Sequence, residues 1–451
     1  MSETPHVIVI GAGTGGMCFA HGLKRAGIRV SVYEADRTRK DGLYGYRVGI
    51  DPHGTRALQA CLPPELFETF LATCARQPRY FSMLTEKDKE IFTLDLPPDA
   101  NQIDSEKSVS RMTLRQVLLT GLEDVVEFGK RFTHYEKHDD GRVTAYFQDG
   151  TSATGDMLVA ADGPGSRVRR QYLPHAELVP AGVISVAGKV AIDERTRHLL
   201  SERVFYGLSL VFAPKGFFNI FHVMEFPWNK DGKAKEGIGG NEKELIENWP
   251  GMLYDNTQDY INWGFAAATD KYPKDILKVR GQELMDLILG MTEDWHPNYR
   301  ELIRLTDPST CFPINIMTSK PIPLWEPTNI TLIGDAIHTM TPGRGVGANT
   351  ALRDAALLAK NLTAVRDGEM KLMEAIHDYE AQMVEYGFAA VKDSLKQQGG
   401  DSIMHKPVLG RIALAGMRAS MRTVNAVPFL KKQFAKGLLA PRGNEQIAEQ
   451  L

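Results

Sequence analysis

The sequence predicts an α/β fold: a parallel-sheet domain, discontinuous in the chain, carries an inserted antiparallel-sheet domain and is followed by a C-terminal helix. Three observations predict it. Residues 7–34 have the strand, glycine turn, helix and second strand of a βαβ unit. From about residue 182 the chain changes to long alternating, aromatic-rich segments. The stretch "TNITLIGDA", from Thr328, then returns to a buried strand followed by glycine.

The first unit, "VIVIGAGTGG", has glycines at 11, 13 and 16 directly after a strand. Gly11 permits a tight turn, Gly13 lets the backbone approach a pyrophosphate, and Gly16 lets the helix pack closely on the sheet. The helix N-terminus offers free N–H groups to the phosphates. Glu34, at the end of the second strand, suits a pair of ribose hydroxyls. Together these features predict a dinucleotide site.

The remaining elements divide the chain into three parts. We assign the dinucleotide domain to 1–76, 108–181 and 311–400, the inserted substrate domain to 77–107 and 182–310, and a helical tail to 401–451. Asp-Gly pairs at 140–141 and 149–150 predict hairpin turns in a meander. The tail is basic and amphipathic, so it either contacts a membrane or packs with a solvated basic face; we favour packing.

Composition limits the class of protein. The chain has 451 residues, 43% apolar and 24% charged, with a formal net charge of -3. These values are typical of a globular protein and do not indicate a nucleic-acid partner or stable membrane insertion. The four cysteines have no metal-ligand spacing, so we expect no metal site, reduced thiols and a cytoplasmic location. We expect a monomer or homodimer.

Two further motifs select the cofactor. The first is "LVAADGPGSRVRR", which contains Asp162 and Arg169, and the second is "TLIGDAIHTMTPGRGVGANTALRDAALLAKNL", which contains Asp335 and His338. With the first glycine motif, they make the sequence resemble the single-component FAD-dependent monooxygenases of the p-hydroxybenzoate hydroxylase fold. Within that family it is most similar to tetracycline-inactivating and natural-product monooxygenases, which share the "SRMTLRQVLL" helix and the late "DYEAQMVEYG".

The resemblance implies a Rossmann-type FAD-binding domain, FAD as cofactor and NADPH or NADH as co-substrate. It further implies an O2-dependent reaction in which a flavin hydroperoxide hydroxylates or epoxidises a bulky, electron-rich aromatic or polycyclic small molecule. The protein would supply positioning and a dry cavity.

The second motif suits a flavin on chemical grounds. Asp335, at a strand's carboxyl end, can accept hydrogen bonds from the ribityl chain. Glycines 345 and 347 bring the backbone up to a flat ring, and the helix beginning near Ala348 and Asn349 points its positive end at the ring. Gly347, Ala348 and Asn349 are therefore predicted cofactor residues.

The family pattern suggests further contacts. Arg111 would contact FAD, whereas Arg115 would only pack, and Val48 and Asp51 would lie at the flavin edge. Asp51 is equally well explained as a helix cap before Pro52. Asp162 and Arg169 would hold FAD and the nicotinamide, unless Arg169 is an ion-pair partner of Asp162. We expect His338 to be structural.

Two residues are proposed as catalytic, Tyr46 and Arg47, because they follow Glu34 in a loop that could face the flavin or the nicotinamide. Aromatic residues of the inserted domain could line the cavity, although core packing explains each of them singly; these are Phe205, Tyr206, Phe212, Phe217, Phe218, Phe221 and Trp263.

Three alternative functions are compatible with a flavin-binding fold of this kind. A flavin-dependent halogenase requires a WxWxIP-type segment, and no two tryptophans of this chain have that spacing. A flavin reductase of isoprenoid double bonds would add two hydrogens rather than one oxygen. A non-catalytic flavin-binding protein would not react with NAD(P)H.

Overall fold

The computed structural model describes residues 5–39, 47–96, 103–229, 231–236, 240–248 and 258–439. A parallel sheet contains β1 (Val7–Ile10), β2 (Val30–Glu34), β7 (Val126–Phe128), β11 (Met157–Ala160) and β17 (Ile330–Leu332). Its strand order is β17-β11-β1-β2-β7. Every residue of β1, β11 and β17 is buried, as expected for a parallel sheet covered on both faces.

Two small sheets accompany it. The meander consists of β8 (Phe132–Lys137), β9 (Val143–Phe147) and β10 (Ser152–Gly155), all antiparallel. Its two turns contain Gly141 at φ 84° and Gly150 at φ 85°, so both predicted Asp-Gly hairpins are confirmed. The second pair is β3 (Arg47–Ile50) with β6 (Lys107–Ser110).

The helices, in chain order, are α1 Thr14–Arg25, α2 Pro52–Cys61, α3 Pro64–Ala72, α4 Arg111–Leu119, α5 Arg167–Tyr172, α6 Glu194–Arg197, α7 Glu202–Phe205, α8 Gly240–Asn248, α9 Gly281–Met291, α10 Pro297–Arg304, α11 Asp335–His338, α12 Gly347–Arg366, α13 Leu372–Gln397, α14 Leu409–Ala426 and α15 Pro428–Leu439.

Helices α1 and α12 lie side by side and parallel. A Cβ added to Gly15 would come within 3.1 Å of the Ala351 carbonyl oxygen, and one added to Gly22 within 2.8 Å of Ala359 Cβ. The two contacts advance together along both helices, so the N-termini of α1 and α12 lie at the same end.

A seven-stranded sheet forms the second part of the molecule. Its strands are β4 Tyr80–Thr85, β5 Glu90–Asp95, β12 Leu178–Ala191, β13 Gly207–Phe212, β14 Phe218–Met224, β15 Tyr260–Ala268 and β16 Phe312–Ser319. The order is β16-β12-β15-β14-β13-β4-β5. One face packs on α9 and α10 through a core that includes Phe221, Trp263 and Tyr299.

The predicted α/β class and the discontinuous nucleotide domain are confirmed, because β17 pairs in parallel with β11. The second sheet is not wholly antiparallel, since β4 runs parallel to β13. Residues 77–107 do contribute β4 and β5 to this sheet, which explains that mixed pairing.

The predicted domain boundaries also differ from the strands. Strand β12 begins in, and strand β16 lies wholly within, a range that we assigned to the nucleotide domain. Both strands belong to the seven-stranded sheet. Two prolines lie in these strands, Pro180 in β12 and Pro313 in β16. In the fold Pro180 precedes a register shift and Pro313 lies in an edge strand, where proline is tolerated.

Within the described ranges, no helix has the length and hydropathy needed to cross a membrane. The same ranges contain no group of three or more histidine, cysteine or acidic side chains arranged to hold a metal ion.

Candidate active site

The first glycine motif forms one wall of a cleft at the carboxyl end of the parallel sheet. Gly11 has φ 103°, and a Cβ there would lie 2.4 Å from the Ala161 carbonyl oxygen. A Cβ on Gly16 would lie 2.4 Å from the Gly11 oxygen. By contrast, a Cβ on Gly13 would meet only the Ala161 oxygen, at 3.8 Å. Gly13 therefore borders open space, whereas Gly11 and Gly16 are required by packing.

Glu34 is held by backbone donors at the end of β2. Its Oε2 accepts from Ala12 N at 2.7 Å and its Oε1 accepts from Asp36 N at 2.9 Å. Each carboxylate oxygen keeps acceptor capacity for a further hydrogen bond. The carboxylate is thus fixed in orientation and can accept from a ribose.

A cavity of about 260 Å³ joins these groups. Four predicted residues line it, namely Gly11, Gly13, Glu34 and Asp162. Buried atoms in its wall have no hydrogen-bond partner among the described residues, including Asp162 Oδ1 and Arg115 Nε. Buried polar atoms are normally satisfied, so these orphaned groups indicate that a polar ligand or water fills the cavity.

Arg115 is a residue that sequence reasoning missed. It pairs with Asp36 at 2.7 Å and lines the cavity, instead of only packing as we predicted. Arg131 lines the same cavity. The four-residue spacing of Arg111 and Arg115 was a usable signal, but Arg131 enters only because β7 lies beside β2, which the sequence does not reveal.

Arg169 connects the DG motif, Asp162-Gly163, to the GD motif, Gly334-Asp335. Its guanidinium donates to the Pro164 and Ala336 carbonyl oxygens, at 2.9 and 2.7 Å. Arg169 is therefore not hydrogen-bonded to Asp162, and its Nε is buried without a partner among the described residues. Asp162 Oδ2 accepts instead from Arg167 N at 2.9 Å, and burial raises the pKa of the Asp162 carboxyl.

Asp335 faces an internal cleft. Its side chain is solvent-accessible although protein surrounds it, and this desolvation raises its pKa. The positive charges of His338 and Arg111 act in the opposite direction and favour the charged carboxylate. Gly334, just before, has φ 61° and fits against Ala351 of α12.

His338 belongs to a buried structural network. Its Nε2 lies 2.7 Å from Asp354 Oδ2, which also accepts from Gly334 N at 2.7 Å, and the Tyr386 hydroxyl donates to Asp354 Oδ1. Burial lowers the pKa of His338, but Asp354 more than offsets this and the net shift is upward. The network shapes the GD turn, in agreement with the structural role expected for His338.

Asn349 connects the GD segment to β3 and α2. Its Oδ1 accepts from Asp51 N at 3.0 Å, and its Nδ2 donates to Gly49 O at 2.9 Å and to Gly345 O at 3.3 Å. Asp51 caps α2 by accepting from Gly54 N, which is the cap interpretation. The Asn349 side chain is thus occupied by protein, and what remains for a ligand is its backbone.

Helices α1 and α12 both begin without a side-chain cap. The first N–H groups of a helix have no intrahelical partner and carry the positive end of its dipole. Gly347 and Ala348 form the first turn of α12, and a Cβ on Gly347 would be no nearer than 3.6 Å to Met340. The cleft therefore has two anion-attracting helix ends at one side. Val48 pairs with Val109 and packs on the same core.

Of the two predicted catalytic residues, Tyr46 lies outside the described residues. Arg47 is not in a loop but begins β3, and its guanidinium pairs with Glu106 at 2.9 Å and with Ser108 Oγ at 3.0 Å. Burial, together with the positive charge of Arg47, holds the pKa of His222 in the inserted sheet well below its usual range.

His222 was missed by the sequence analysis, although it interrupts the apolar alternation of Phe218 and Ile220. It lies in register with Asn262, which in turn lies in register with Lys189, so the three side chains form a polar row across one sheet face. Asn262 Oδ1 is buried without a partner among the described residues. Lys189 Nζ lies 3.7 Å from Met112 Sδ of α4, so this face looks toward the nucleotide domain.

The same face is otherwise apolar and partly exposed. Its apolar members include Leu208, Leu210, Phe212, Phe218 and Ile220. Phe212 and Phe218 contact each other with ring centroids 5.3 Å apart. Other predicted cavity aromatics instead pack in the opposite core, as the core interpretation expected: Phe205, Phe217, Phe221 and Trp263.

The C-terminal helices form a further wall. Met421 and Val424 of α14, with Phe434 of α15, pack on the cluster that includes Leu208 and Leu210. Arg418 of α14 donates to the Phe212 carbonyl oxygen. The cleft between the sheet and the nucleotide domain is therefore bordered by α14, as the packed-helix interpretation of the tail expected.

Comparison with known proteins agrees with this geometry. Residues 320–393 match a family model described as FAD binding domain, and residues 9–38 match an NAD(P)-binding Rossmann-like domain. The dual O-methyltransferase/FAD-dependent monooxygenase CTB3 of Cercospora beticola is 30% identical over 402 residues, which is 85% of this chain. The chain spans only 44% of that protein's length.

A FAD-dependent urate hydroxylase of Klebsiella pneumoniae subsp. pneumoniae is 30% identical over 379 residues, covering 83% of this chain and 85% of the hydroxylase. The crystal structure of Klebsiella pneumoniae HpxO with FAD and uric acid has a TM-score of 0.72 at 24% identity and covers 94% of this chain and 96% of its own. Tetracycline destructase Tet(51) has the same fold, with a TM-score of 0.59 at 16% identity over 94% of this chain and 98% of its own.

The sequence similarity extends over most of the chain and the fold is the same, so the chain belongs to the family of FAD-dependent monooxygenases and FAD is its cofactor.

Proposed function

We propose that the chain is an NAD(P)H- and O2-dependent monooxygenase that hydroxylates or epoxidises a bulky, electron-rich aromatic or polycyclic small molecule. The observation that carries the proposal is the cleft itself. The uncapped ends of α1 and α12 lie at one side of the fold, and an apolar sheet face with a polar row lies toward the same domain.

The residues fit FAD along its length. Gly13 and the start of α1 receive the pyrophosphate, with Gly11 and Gly16 allowing the turn and the close packing. Glu34 accepts from the adenosine ribose, and Arg115 lies beside it in the same cavity. The orphaned Asp162 Oδ1 accepts a hydrogen bond from the bound cofactor.

The other half of the cofactor would lie along the GD segment. Asp335 accepts from the ribityl chain, and the nearby Arg111 favours the charged carboxylate. The backbone of Gly347, Ala348 and Asn349 presents N–H groups to the pyrimidine side of the ring. Asp51 lies at that edge through the Asn349 bridge, and Val48 lies in the adjoining strand β3.

FAD, when bound and reduced by a nicotinamide, supplies dioxygen activation. The protein's own part is positioning and exclusion of water. Apolar side chains of β13 and β14 hold the hydrocarbon body of the substrate, and α14 covers the edge of that face. His222 stays neutral near neutral pH because of burial and Arg47, so one ring nitrogen accepts and the other donates.

The polar row then orients the substrate's oxygen substituents. His222, Asn262 and Lys189 offer hydrogen-bonding groups in one line across the face. A planar molecule with a phenol hydroxyl at one edge can donate to the unpartnered Asn262 oxygen or to the His222 ring. Such a molecule is electron-rich, as transfer of an electrophilic oxygen requires.

Anaerobic mixing of the FAD-loaded protein with NADPH or NADH, followed by flavin absorbance, tests the proposal. We expect bleaching with at least one nicotinamide, and reoxidation with release of peroxide when air is admitted in the absence of substrate. A flavin that remains oxidised with both nicotinamides, with and without candidate aromatic substrates, would contradict it.

A further inference from the structure

The outer face of the C-terminal helices is exposed and apolar. Val408 is 70% exposed, Leu409 55%, Ile412 65% and Phe429 68%. These are the most exposed of the large apolar side chains in the described ranges. Single exposed apolar residues are ordinary, but Val408, Leu409 and Ile412 lie together at the start of α14, and Phe429 lies at the start of α15. We call Val408, Leu409, Ile412 and Phe429, with their basic neighbours Arg411, Arg422 and Lys432, the C-terminal surface.

Helix α14 presents one continuous uncharged face to solvent. The outward positions follow helical spacing from Leu409 through Ile412, Gly416 and Thr423 to Val427, and all are exposed. The opposite face contains Leu414 and Met421, which pack inward. At 1.5 Å per residue this face extends along about 27 Å, enough to lie flat on a surface.

The charge of this region is one-sided. Residues 402–444 contain eight lysines and arginines and no aspartate or glutamate, in a chain whose formal net charge is -3. Arg418 pairs with Glu86, but Arg411, Arg422 and Lys432 have no carboxylate partner among the described residues. The remainder of the chain accordingly has a formal charge of -11, so this segment is strongly basic in an otherwise acidic chain.

We propose that the C-terminal surface binds reversibly to an anionic lipid surface. Exposed apolar side chains flanked by lysine and arginine, on a helix lying parallel to the interface, are the features of interfacial membrane binding. A second copy of the chain fits less well. A symmetric dimer through this surface would bring two basic segments together, which is repulsive.

Membrane binding through this surface would place the substrate cleft beside the bilayer, and this consequence rests on the proposed function. The inner face of α14 packs beside Leu208 and Leu210, on the sheet face proposed to hold the substrate. An apolar polycyclic substrate dissolved in a bilayer would then meet the cleft at the membrane instead of crossing water.

Sedimentation of the full-length holoprotein with vesicles tests the binding without any turnover. One set of vesicles contains phosphatidylcholine alone, and the other also contains phosphatidylserine. We expect sedimentation with the phosphatidylserine vesicles, little with the neutral ones, and a loss of binding as salt is raised.

Two double variants separate the apolar and charged contributions. Ile412→Ser with Phe429→Ser removes exposed apolar groups and should weaken binding by about tenfold or more for each side chain. Arg411→Gln with Arg422→Gln should weaken it roughly fivefold for each charge, and only for the anionic vesicles. Each variant should retain wild-type FAD content and thermal unfolding, because these side chains are exposed.

Matched controls lie outside the basic segment 402–444. Leu277→Ser removes another exposed apolar side chain, and Lys274→Gln with Lys278→Gln removes two exposed charges. Neither control should change vesicle binding. Equal binding of the wild type and the Ile412→Ser/Phe429→Ser variant would overturn the proposal. A wild-type dimer that this variant converts to monomer, with no vesicle binding by either, would overturn it in favour of a second copy.

Because no substrate is used, a failure of vesicle binding leaves the proposed reaction untouched. Conversely, vesicle binding by a protein whose flavin is never reduced would refute the reaction and support the surface.

Discussion

Gly13→Ala should separate cofactor binding from folding. Gly13 has φ -80° and ψ 178°, which any residue adopts, and the added Cβ would lie 3.8 Å from its nearest neighbour, the Ala161 oxygen. We therefore expect the free energy of unfolding of the apoprotein to change by less than about 1 kcal/mol. The same methyl group would occupy the space proposed for the pyrophosphate.

The effect on FAD follows from the hydrogen bonds that are lost. One backbone N–H to a phosphate oxygen contributes about 1.5–3 kcal/mol, which corresponds to a Kd about 10- to 150-fold higher. Titration of the apoprotein with FAD, followed by quenching of flavin fluorescence, measures it. Urea unfolding of the same apoprotein measures the stability.

Gly16→Ala is the contrasting variant. Its Cβ would lie 2.4 Å from the Gly11 oxygen and 2.9 Å from Ala161 Cβ, so the apoprotein itself should lose about 1–3 kcal/mol or more. Gly290→Ala, with nothing within 4 Å, is the control: it should leave the Kd for FAD unchanged and stabilise the apoprotein by up to about 1 kcal/mol through the helix propensity of α9. A Gly13→Ala protein that folds and binds FAD as tightly as the wild type would refute the placement of the pyrophosphate.

Three further outcomes are expected. Burial raises the pKa of Glu380 to about 8, so the folded state keeps this proton and loses stability as pH rises from the ordinary glutamate value toward 8. Glu380→Gln should remove this pH dependence and raise the free energy of unfolding by about 3 kcal/mol at pH 7. Urea unfolding across pH measures both, and an unchanged pH profile would contradict the prediction. Asn349→Ala leaves the Asp51 N–H and the Gly49 and Gly345 carbonyl groups without these hydrogen bonds. We expect the free energy of unfolding to fall by about 2–4 kcal/mol and FAD to bind more weakly. A melting temperature equal to that of the wild type would show that the bridge is dispensable. Because Asp354 raises the pKa of His338, the pair stabilises the fold below the ordinary histidine pKa, and this contribution is lost as pH rises through the pKa of the folded state. Asp354→Asn should therefore lower the free energy of unfolding more at mildly acidic than at alkaline pH. An equal loss at both pH values would argue against the ion pair.

Local sequence signals were sufficient for the elements that depend on local chemistry. The turn at Gly11, the strand ending at Glu34 and the Asp-Gly hairpins each require particular residues at fixed spacing, and the structure has them there. The return of the chain to the parallel sheet at β17 could also be predicted, because buried parallel strands have a recognisable apolar run.

Groups brought together by topology could not be predicted. Arg131 lines the cleft because β7 pairs with β2. The charge of Arg47 in β3 helps to lower the pKa of His222, which lies in a different sheet. For Arg169 the sequence left a ligand contact and an ion pair with Asp162 open, and it could not show that the guanidinium donates to the carbonyl groups of Pro164 and Ala336. Periodicity alone also could not tell which face of β14 was the core, so Phe221 and Phe218 could not be separated.

Isotope labelling of the product tests the central claim most directly. The FAD-loaded protein is incubated with NADPH or NADH, a set of bulky aromatic and polycyclic compounds, and dioxygen labelled with oxygen-18, and the products are examined by mass spectrometry. We predict a product that has gained a single labelled oxygen atom, with consumption of the nicotinamide. A product that has gained two hydrogens, or oxygen derived only from water, would contradict it.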